Sequence, residues 1–258
     1  MNNYWLLDRP IAHRGYHKKE DNIPENSLPA FQRAIDHNFN IELDVQLTKD
    51  GKVVVFHDHN VKRMCGVDKA VEKFTYDEFS KLKLDGHDDI HPPLLQDVLD
   101  LVDGKVGIVI EIKSMNYSPF FKLERELNKI MKGYNGLYCV KSFSPLSVIW
   151  YFNHNNKVLR GFLTGFKQDF LNIMGVVAYP FSMFCSFNVE VLPQKRVDKK
   201  FRGKNKPIIC WTVNSEEKIE TVKKYADNIV FERLESEVVE AYYEFNKTVK
   251  KDYKNFKV

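Results

Sequence analysis

The chain predicts an α/β fold of the TIM type, a distorted (β/α)8 barrel built as one domain. Three observations carry that prediction. Short apolar runs rich in β-branched residues alternate with amphipathic helical patterns about eight times. Chemistry-bearing side chains recur at the C-terminal ends of those runs, where the strands of such a barrel converge on one mouth. The 258 residues, 43% hydrophobic and 29% charged, suffice for one core of barrel size, and no repeat, linker or low-complexity segment divides them. A single domain over 1–258 is expected, with a small capping insertion at about 59–105.

Pro10 to Ala12 reads as the first strand, followed by a polar, turn-rich loop from Tyr16 to Asn26. Ser27 or Asn26 can cap a helix that carries Pro29 in its first turn and Leu28, Phe31 and Ile35 on one stripe, running to about His37. Ile41 to Leu47 is the second strand, and its alternation sends Glu42 and Asp44 out of the same face. After Asp50-Gly51 comes a second β-branched run, Val53 to Phe56, ending on His57-Asp58. Parallel neighbours need a crossover of a dozen or more residues, and Thr48 to Lys52 is far too short for one. The run is therefore expected to lie antiparallel to Ile41 to Leu47, a hairpin between the second and third barrel strands, with Asp44 opposite His57.

His59 to about Asp89 is polar, with one helical pattern at Thr75 to Leu84, and Leu94 to Leu101 reads as a further helix. Gly107 to Ile112 is nearly continuous in apolar character, as a strand covered on both faces would be, and it ends in Glu111-Ile112-Lys113. Phe120 to Met131 is an amphipathic helix, Leu137 to Val140 a strand, Pro145 to Asn153 a helix and Val158 to Leu163 a strand. Asp169 to Met174 reads as helical. Ile173 to Phe187 is unusually apolar and of ambiguous type, Gln194 to Phe201 is helical, and Lys206 to Thr212 is a strand. Glu216 to Tyr225 is a helix, Asn228 to Phe231 the last strand and Glu235 to Asn246 the closing helix.

A net charge of +4 is mildly basic, and the excess gathers in Lys247 to Lys257 rather than along a groove. That tail reads first as a solvated helix end, so no nucleic-acid partner is expected; weak contact with an anionic membrane surface is its other reading. No basic segment followed by an apolar run opens the chain, and no apolar stretch is long enough to span a bilayer, so a cytoplasmic location is expected. Cys65, Cys139, Cys185 and Cys210 have no CxxC or Cys/His zinc spacing, as reduced thiols used as small apolar residues would not.

Glu42, Asp44 and Glu111 together make an oxygen-rich pocket suited to one divalent cation, Mg²⁺ or Ca²⁺. Without a cation, three clustered carboxylates would repel and take up protons. Arg14 and Lys113 add positive charge beside them, which suits a phosphate. His13 and His57 can divide the proton transfers, one relieving a nucleophilic hydroxyl of its proton and the other protonating a leaving alkoxide. The sum is metal-assisted phosphodiester cleavage. Each piece alone has a structural reading: a lone histidine held in a core, an acidic pair on a solvated strand face, a surface ion pair between Glu111 and Lys113. Their shared placement at strand ends favours the chemistry.

The same residues resemble the glycerophosphodiester phosphodiesterases, which are similar in barrel architecture to the phosphoinositide phospholipases C. The resemblance runs through His13-Arg14-Gly15, Pro24-Glu25-Asn26-Ser27, Glu42-Leu43-Asp44-Val45, Asp50-Gly51, His57-Asp58, Pro93-Leu94-Leu95, Glu111-Ile112-Lys113, Ser142-Phe143 and Trp211-Thr212-Val213-Asn214. It implies a cation held by Glu42, Asp44 and Glu111, His13 and His57 as general acid and base, and Arg14, Lys113 and Trp211 on a small glycerophosphodiester. It further implies cleavage to sn-glycerol 3-phosphate and an alcohol, commonly by attack of the glycerol 2-hydroxyl to give a cyclic phosphate that water opens. Two departures stand out. The last strand ends in Phe231-Glu232-Arg233 where the family commonly has a threonine-aspartate followed by proline, and Ile173 to Phe187 is more apolar than the family requires. If that segment formed a rim for an acyl chain, the enzyme would be a lysophospholipase D; a helix and strand packed into the barrel is the plainer alternative. A barrel that binds phosphodiesters without turnover is the remaining reading, and it would need a missing histidine or metal ligand.

Overall fold

The computed structural model describes residues 5–114, 119–164, 177–192 and 206–248. Eight parallel strands with intervening helices, and a ninth strand antiparallel to the second, give the TIM-type (β/α)8 class. The strands are β1 (Ile11–Ala12), β2 (Asn40–Leu47), β3 (Val53–Val55), β4 (Ile108–Ile112), β5 (Tyr138–Ser142), β6 (Leu159–Thr164), β7 (Phe184–Asn188), β8 (Ile208–Val213) and β9 (Asn228–Phe231). Among the described residues no helix is long and apolar enough to cross a membrane. The chain divides into two compact units, one of residues 14–137 and one of residues 1–13 with 138–258.

In the 14–137 unit, β2 pairs in parallel with β4 and antiparallel with β3. All five residues of β4 are buried, which is why that run is apolar on both faces. The expected helix spans Leu28–Asp36, with Ser27 as its N-cap: the Ser27 hydroxyl accepts a hydrogen bond from the Ala30 N–H at 3.3 Å, and Pro29 lies in the first turn. Asn26 is not the cap; it takes a left-handed φ of 53° and turns to other partners. Leu95–Val102 packs on this helix through its buried stripe.

The hairpin is antiparallel as the short connection demanded, but its register differs by one residue from the expectation. Val45 faces Val55 and Leu47 faces Val53, and the Phe56 N–H donates to the Asp44 carbonyl at 2.9 Å. Asp44 thus stands opposite Phe56, not His57. The cause is the loop: Thr48 and Lys52 close it by a backbone bond of 3.0 Å, leaving three residues at the tip rather than two.

Between His59 and Leu94 the chain builds a small cluster of its own. Short helical turns at Lys62–Cys65, Val71–Lys73, Tyr76–Phe79 and Leu84–Gly86 bury Val61, Met64, Val71, Phe74, Phe79 and Leu84 against Phe56. Thr75 caps the third turn in a capping box with Glu78, so the expected helix from Thr75 starts where the sequence placed it but ends at Phe79. The interval assigned to a capping insertion therefore contains two parts, this cluster and the Leu95–Val102 helix.

In the other unit, β5, β6, β7, β8, β9 and β1 pair in parallel in that order. Helices Pro145–His154, Glu216–Tyr225 and Ser236–Thr248 fall close to their expected bounds. A helical turn at Trp5–Asp8, with its first three residues buried, precedes β1 and has no counterpart in the sequence reading. In the described part of the apolar segment Tyr179, Phe184, Cys185 and Phe187 are buried, the last three on β7, while Val177 is exposed. The segment's earlier residues, 173–176, lie outside the described residues, as do the expected helices at 169–174 and 194–201 and the basic tail from 249 onward.

Candidate active site

The site in the 14–137 unit is built on β2. Alternation along that strand puts Glu42, Asp44 and Gln46 on one face, and the parallel register sets Asp44 beside Glu111 of β4. One oxygen from each of Glu42, Asp44 and Glu111 lies within 4.8 Å of the others. All three are buried, Glu42 at 0% exposure. Three such carboxylates cannot sit together in a dry place without positive charge. Lys113, the residue after the end of β4, brings its Nζ 2.5 Å from Glu111 Oε1 and 3.1 Å from Asp44 Oδ1. Burial would lower the lysine pKa, yet Asp44 and Glu111 outweigh it and raise the pKa above the ordinary value.

Arg14 arrives from a tight turn in which it and Gly15 both have positive φ, 55° and 81°. That turn lies against β2: the Arg14 N–H donates to Glu42 Oε2 at 3.1 Å, and the Gly15 N–H donates to the Glu42 carbonyl at 3.3 Å. The guanidinium donates from Nη1 to Glu25 Oε1 at 2.7 Å, with Nε 3.6 Å from Asp44 Oδ2. Burial opposes its charge, but Asp44, Glu25 and Glu42 reverse that and raise its pKa. Asn26 donates from Nδ2 to Asp44 Oδ2 at 3.0 Å. Burial would raise the Asp44 pKa; Lys113, then His57 and Arg14, hold it well below the usual carboxylate range.

His57 is held at Nδ1 by Asp58 Oδ1 at 2.7 Å. An ionised carboxylate only accepts, so Nδ1 carries the hydrogen and Nε2 is the basic nitrogen. Asp58 would be pushed up by burial, but its bonds to His57 and Arg63 bring its pKa well below normal. Gln46 donates from Nε2 to the carbonyls of Phe56, His57 and Asp58 at 2.8, 3.2 and 2.8 Å, fixing the backbone that carries the imidazole.

The structure therefore brings Arg14, Glu42, Asp44, His57, Glu111 and Lys113 into one unit. His13 and Trp211 belong to the other. There His13 Nδ1 lies 2.7 Å from Glu232 Oε2, so the residue at the unusual end of the last strand supplies this histidine's carboxylate. Trp211 donates from Nε1 to the Ser186 carbonyl at 3.1 Å and meets Phe143 edge to face at 5.6 Å.

Sequence reasoning gave no role to Glu25, Gln46, Asp58, Arg63 or Glu232, and offered Asn26 only as a helix cap. A signal existed for Gln46, which continues the Glu42, Asp44 row, and for Asp58 and Glu232, each a carboxylate at the end of a strand run. Arg63 had none. Three convergent buried carboxylates form a hard-donor set that fits a divalent cation of the Mg²⁺ or Ca²⁺ type. Asn26 Oδ1, buried without a hydrogen-bond partner next to Asp44, adds a further oxygen to the same locality.

Residues 13–231 match the glycerophosphoryl diester phosphodiesterase family. The chain is 32% identical over 252 residues to an uncharacterised protein of Mycoplasma genitalium, covering 91% of this chain and 96% of that one. It is 40% identical over 154 residues to a glycerophosphodiester phosphodiesterase of Caldanaerobacter subterraneus, a match covering 56% of this chain and 58% of that one. Among solved structures, a glycerophosphodiester phosphodiesterase from Thermotoga maritima superposes with a TM-score of 0.71 at 26% identity, covering 90% of this chain and 95% of that one. A phosphodiesterase from Oleispira antarctica, solved with the product sn-glycerol-3-phosphate, gives a TM-score of 0.79 at 17% identity and covers 93% of this chain and 98% of that one.

Proposed function

Because the chain belongs to the glycerophosphoryl diester phosphodiesterase family, we propose that it hydrolyses small glycerophosphodiesters to sn-glycerol 3-phosphate and an alcohol at the Glu42, Asp44 and Glu111 cluster. The observation that carries the reading is the charge of that cluster: three buried carboxylates stand against the two cations Arg14 and Lys113. One negative charge remains in excess, which would repel a phosphodiester anion. Glu42, Asp44 and Glu111 would hold a divalent cation, which when bound would supply the missing positive charge beside the phosphoryl oxygens.

The protein's own residues do the rest. Arg14, preset by Glu25, offers the face of its guanidinium fork that Glu25 leaves open to phosphate oxygens. Lys113 adds a fixed positive charge beside them. His57, with Nδ1 committed to Asp58, presents Nε2 as the group that takes or gives a proton. His13, with Nδ1 committed to Glu232, is the second such group. Two histidines each tied to a carboxylate suit a reaction in which one proton leaves a hydroxyl and another reaches a departing alkoxide. Tyr179, Phe184, Cys185 and Phe187 of the apolar segment are buried, the last three on β7, which favours a water-soluble substrate over one with an acyl chain.

The test is release of sn-glycerol 3-phosphate from glycerophosphocholine, read by a coupled dehydrogenase assay, with Mg²⁺ or Ca²⁺ present and after chelation with EDTA. Turnover that vanishes on chelation and returns with the cation supports the reading. Turnover that survives EDTA sinks the metal. Retained turnover in His57→Ala or His13→Ala sinks that histidine's assignment.

A further inference from the structure

We propose that Arg63 is a positioning residue of this site, one guanidinium that sets both the phosphate-binding arginine and the proton-transferring histidine. The inference rests on the roles assigned above to Arg14 and His57. Arg63 lies in the Lys62–Cys65 turn of the His59 to Leu94 cluster. Its fork grips Glu25, with Nη2 2.6 Å from Oε1 and Nη1 3.0 Å from Oε2. Its Nε donates to Asp58 Oδ2 at 2.6 Å. Glu25 Oε1 is the atom that holds Arg14, and the other Asp58 oxygen is the one that holds His57. Arg14, Glu25, Arg63, Asp58 and His57 thus form one continuous relay in which every link has a contact of 2.6 to 2.7 Å.

Only a planar fork with donors on two edges can hold two carboxylates at once in this way; an ammonium is a point donor. The backbone that carries it is fixed. Val61 and Met64 on either side are buried, and the Cys65 and Gly66 N–H groups close the turn on the carbonyls of Val61 and Lys62. A purely stabilising role explains little, because the Arg63 side chain is 47% exposed and exposed ion pairs contribute weakly to folding. What the guanidinium does fix is direction: without it Glu25 can rotate away from Arg14, and Asp58 can rotate away from Nδ1 of His57. Misplacement of either group by an ångström or so costs about a hundredfold in rate.

The experiment compares Arg63→Ala and Arg63→Lys with the wild type on glycerophosphocholine in the cation-loaded enzyme. The expected result for Arg63→Ala is a fall in kcat of about 10²-fold and a several-fold rise in KM, with a melting temperature within about 4 °C of the wild type. Arg63→Lys should stay at least about tenfold below wild type, and added methylguanidinium should restore activity to Arg63→Ala but not to Arg63→Lys or His57→Ala. Activity within twofold of wild type in either Arg63 variant overturns the proposal. So does a lost activity that methylguanidinium fails to restore in a folded Arg63→Ala; if that variant does not fold, Arg63→Lys decides alone.

A readout independent of turnover separates this inference from the functional reading. The hydrogen-bonded Nδ1 proton of His57 should give a downfield NMR resonance in the wild type, and it should move or vanish in both Arg63 variants. An inactive wild type whose resonance still depends on Arg63 leaves the positioning role standing and removes the phosphodiesterase reading. An active wild type whose resonance ignores Arg63 does the reverse.

Discussion

Replacing Gly15 by alanine tests whether the turn that delivers Arg14 is as tightly seated as its geometry implies. The residue has a φ of +81°, and an added Cβ would lie 2.8 Å from both the carbonyl carbon and the Cβ of Ala30. Two costs follow. A non-glycine residue in the left-handed region loses about 1–2 kcal/mol. Forcing a methyl against the first turn of the Leu28–Asp36 helix, which cannot yield without moving its Ser27 cap, costs about a further 1–3 kcal/mol. The expected destabilisation is about 2–5 kcal/mol, or a drop of roughly 4–20 °C in melting temperature for a chain of this size. Gly66 is the internal control, because it has a φ of +73° with nothing within 4 Å of the added carbon. Gly66→Ala should therefore lose only the conformational part, and the difference between the two variants measures the collision. Urea unfolding, followed by tryptophan fluorescence, supplies both numbers. A Gly15→Ala variant no less stable than Gly66→Ala would refute the packing argument, and one more stable than wild type would refute the conformational one as well.

Two further predictions use titratable groups. Asp58 has its folded pKa held below the ordinary value, so its stabilisation is complete above the unfolded value of about 3.9 and is lost as pH falls through the folded one. The melting-temperature gap between wild type and Asp58→Asn should accordingly be widest near neutral pH and narrow below about pH 4; a gap that stays flat from neutrality down to about pH 3 contradicts the assignment. Cys139, Cys185 and Cys210 are buried, and burial pushes the thiols of Cys65 and Cys185 up to about 12. Ellman's reagent at mildly alkaline pH should thus find no fast thiol in the native protein and all four after denaturation. A stoichiometric fast phase would show that one of these sites is open.

What was legible in the sequence was legible for local reasons. Ser27 and Pro29 announce a helix start because the cap and the missing proline N–H act within one turn. Glu42 and Asp44 share a face because strand periodicity is two, and the antiparallel turn-back follows from a connection too short for anything else. The apolar run of β4 ended in a carboxylate that had to be neutralised, and Lys113 does so. The hairpin register was not legible, because Asp50-Gly51 signals a turn without saying how many residues it contains, and one extra residue changes every cross-strand partner. Arg63 with Glu25 and His13 with Glu232 were hidden for another reason: their partners are 38 and 219 residues away, and no periodicity encodes such a meeting.

The pairing of His57 with Asp58 shows how a register difference can leave a site intact. Adjacent residues in an extended strand point to opposite faces, so a His-Asp dipeptide that stayed in β3 could not form its own hydrogen bond. The apolar run continues to Phe56, yet β3 ends at Val55. Beyond it the three consecutive carbonyls of Phe56, His57 and Asp58 are gathered onto one amide, Gln46 Nε2, a geometry that regular strand pairing does not allow. The chain is thereby bent out of the ladder, and Asp58 turns back to meet His57 Nδ1 at 2.7 Å. Because the imidazole is aimed by that bend rather than by its place across from Asp44, the charge of Asp44 still interacts with His57 although their backbones are not paired. Gln46 is then as necessary to the histidine's direction as Asp58. Gln46→Ala, which leaves every carboxylate in place, should lower kcat by about ten- to a hundredfold; an unchanged kcat would mean that β3 bends for some other cause.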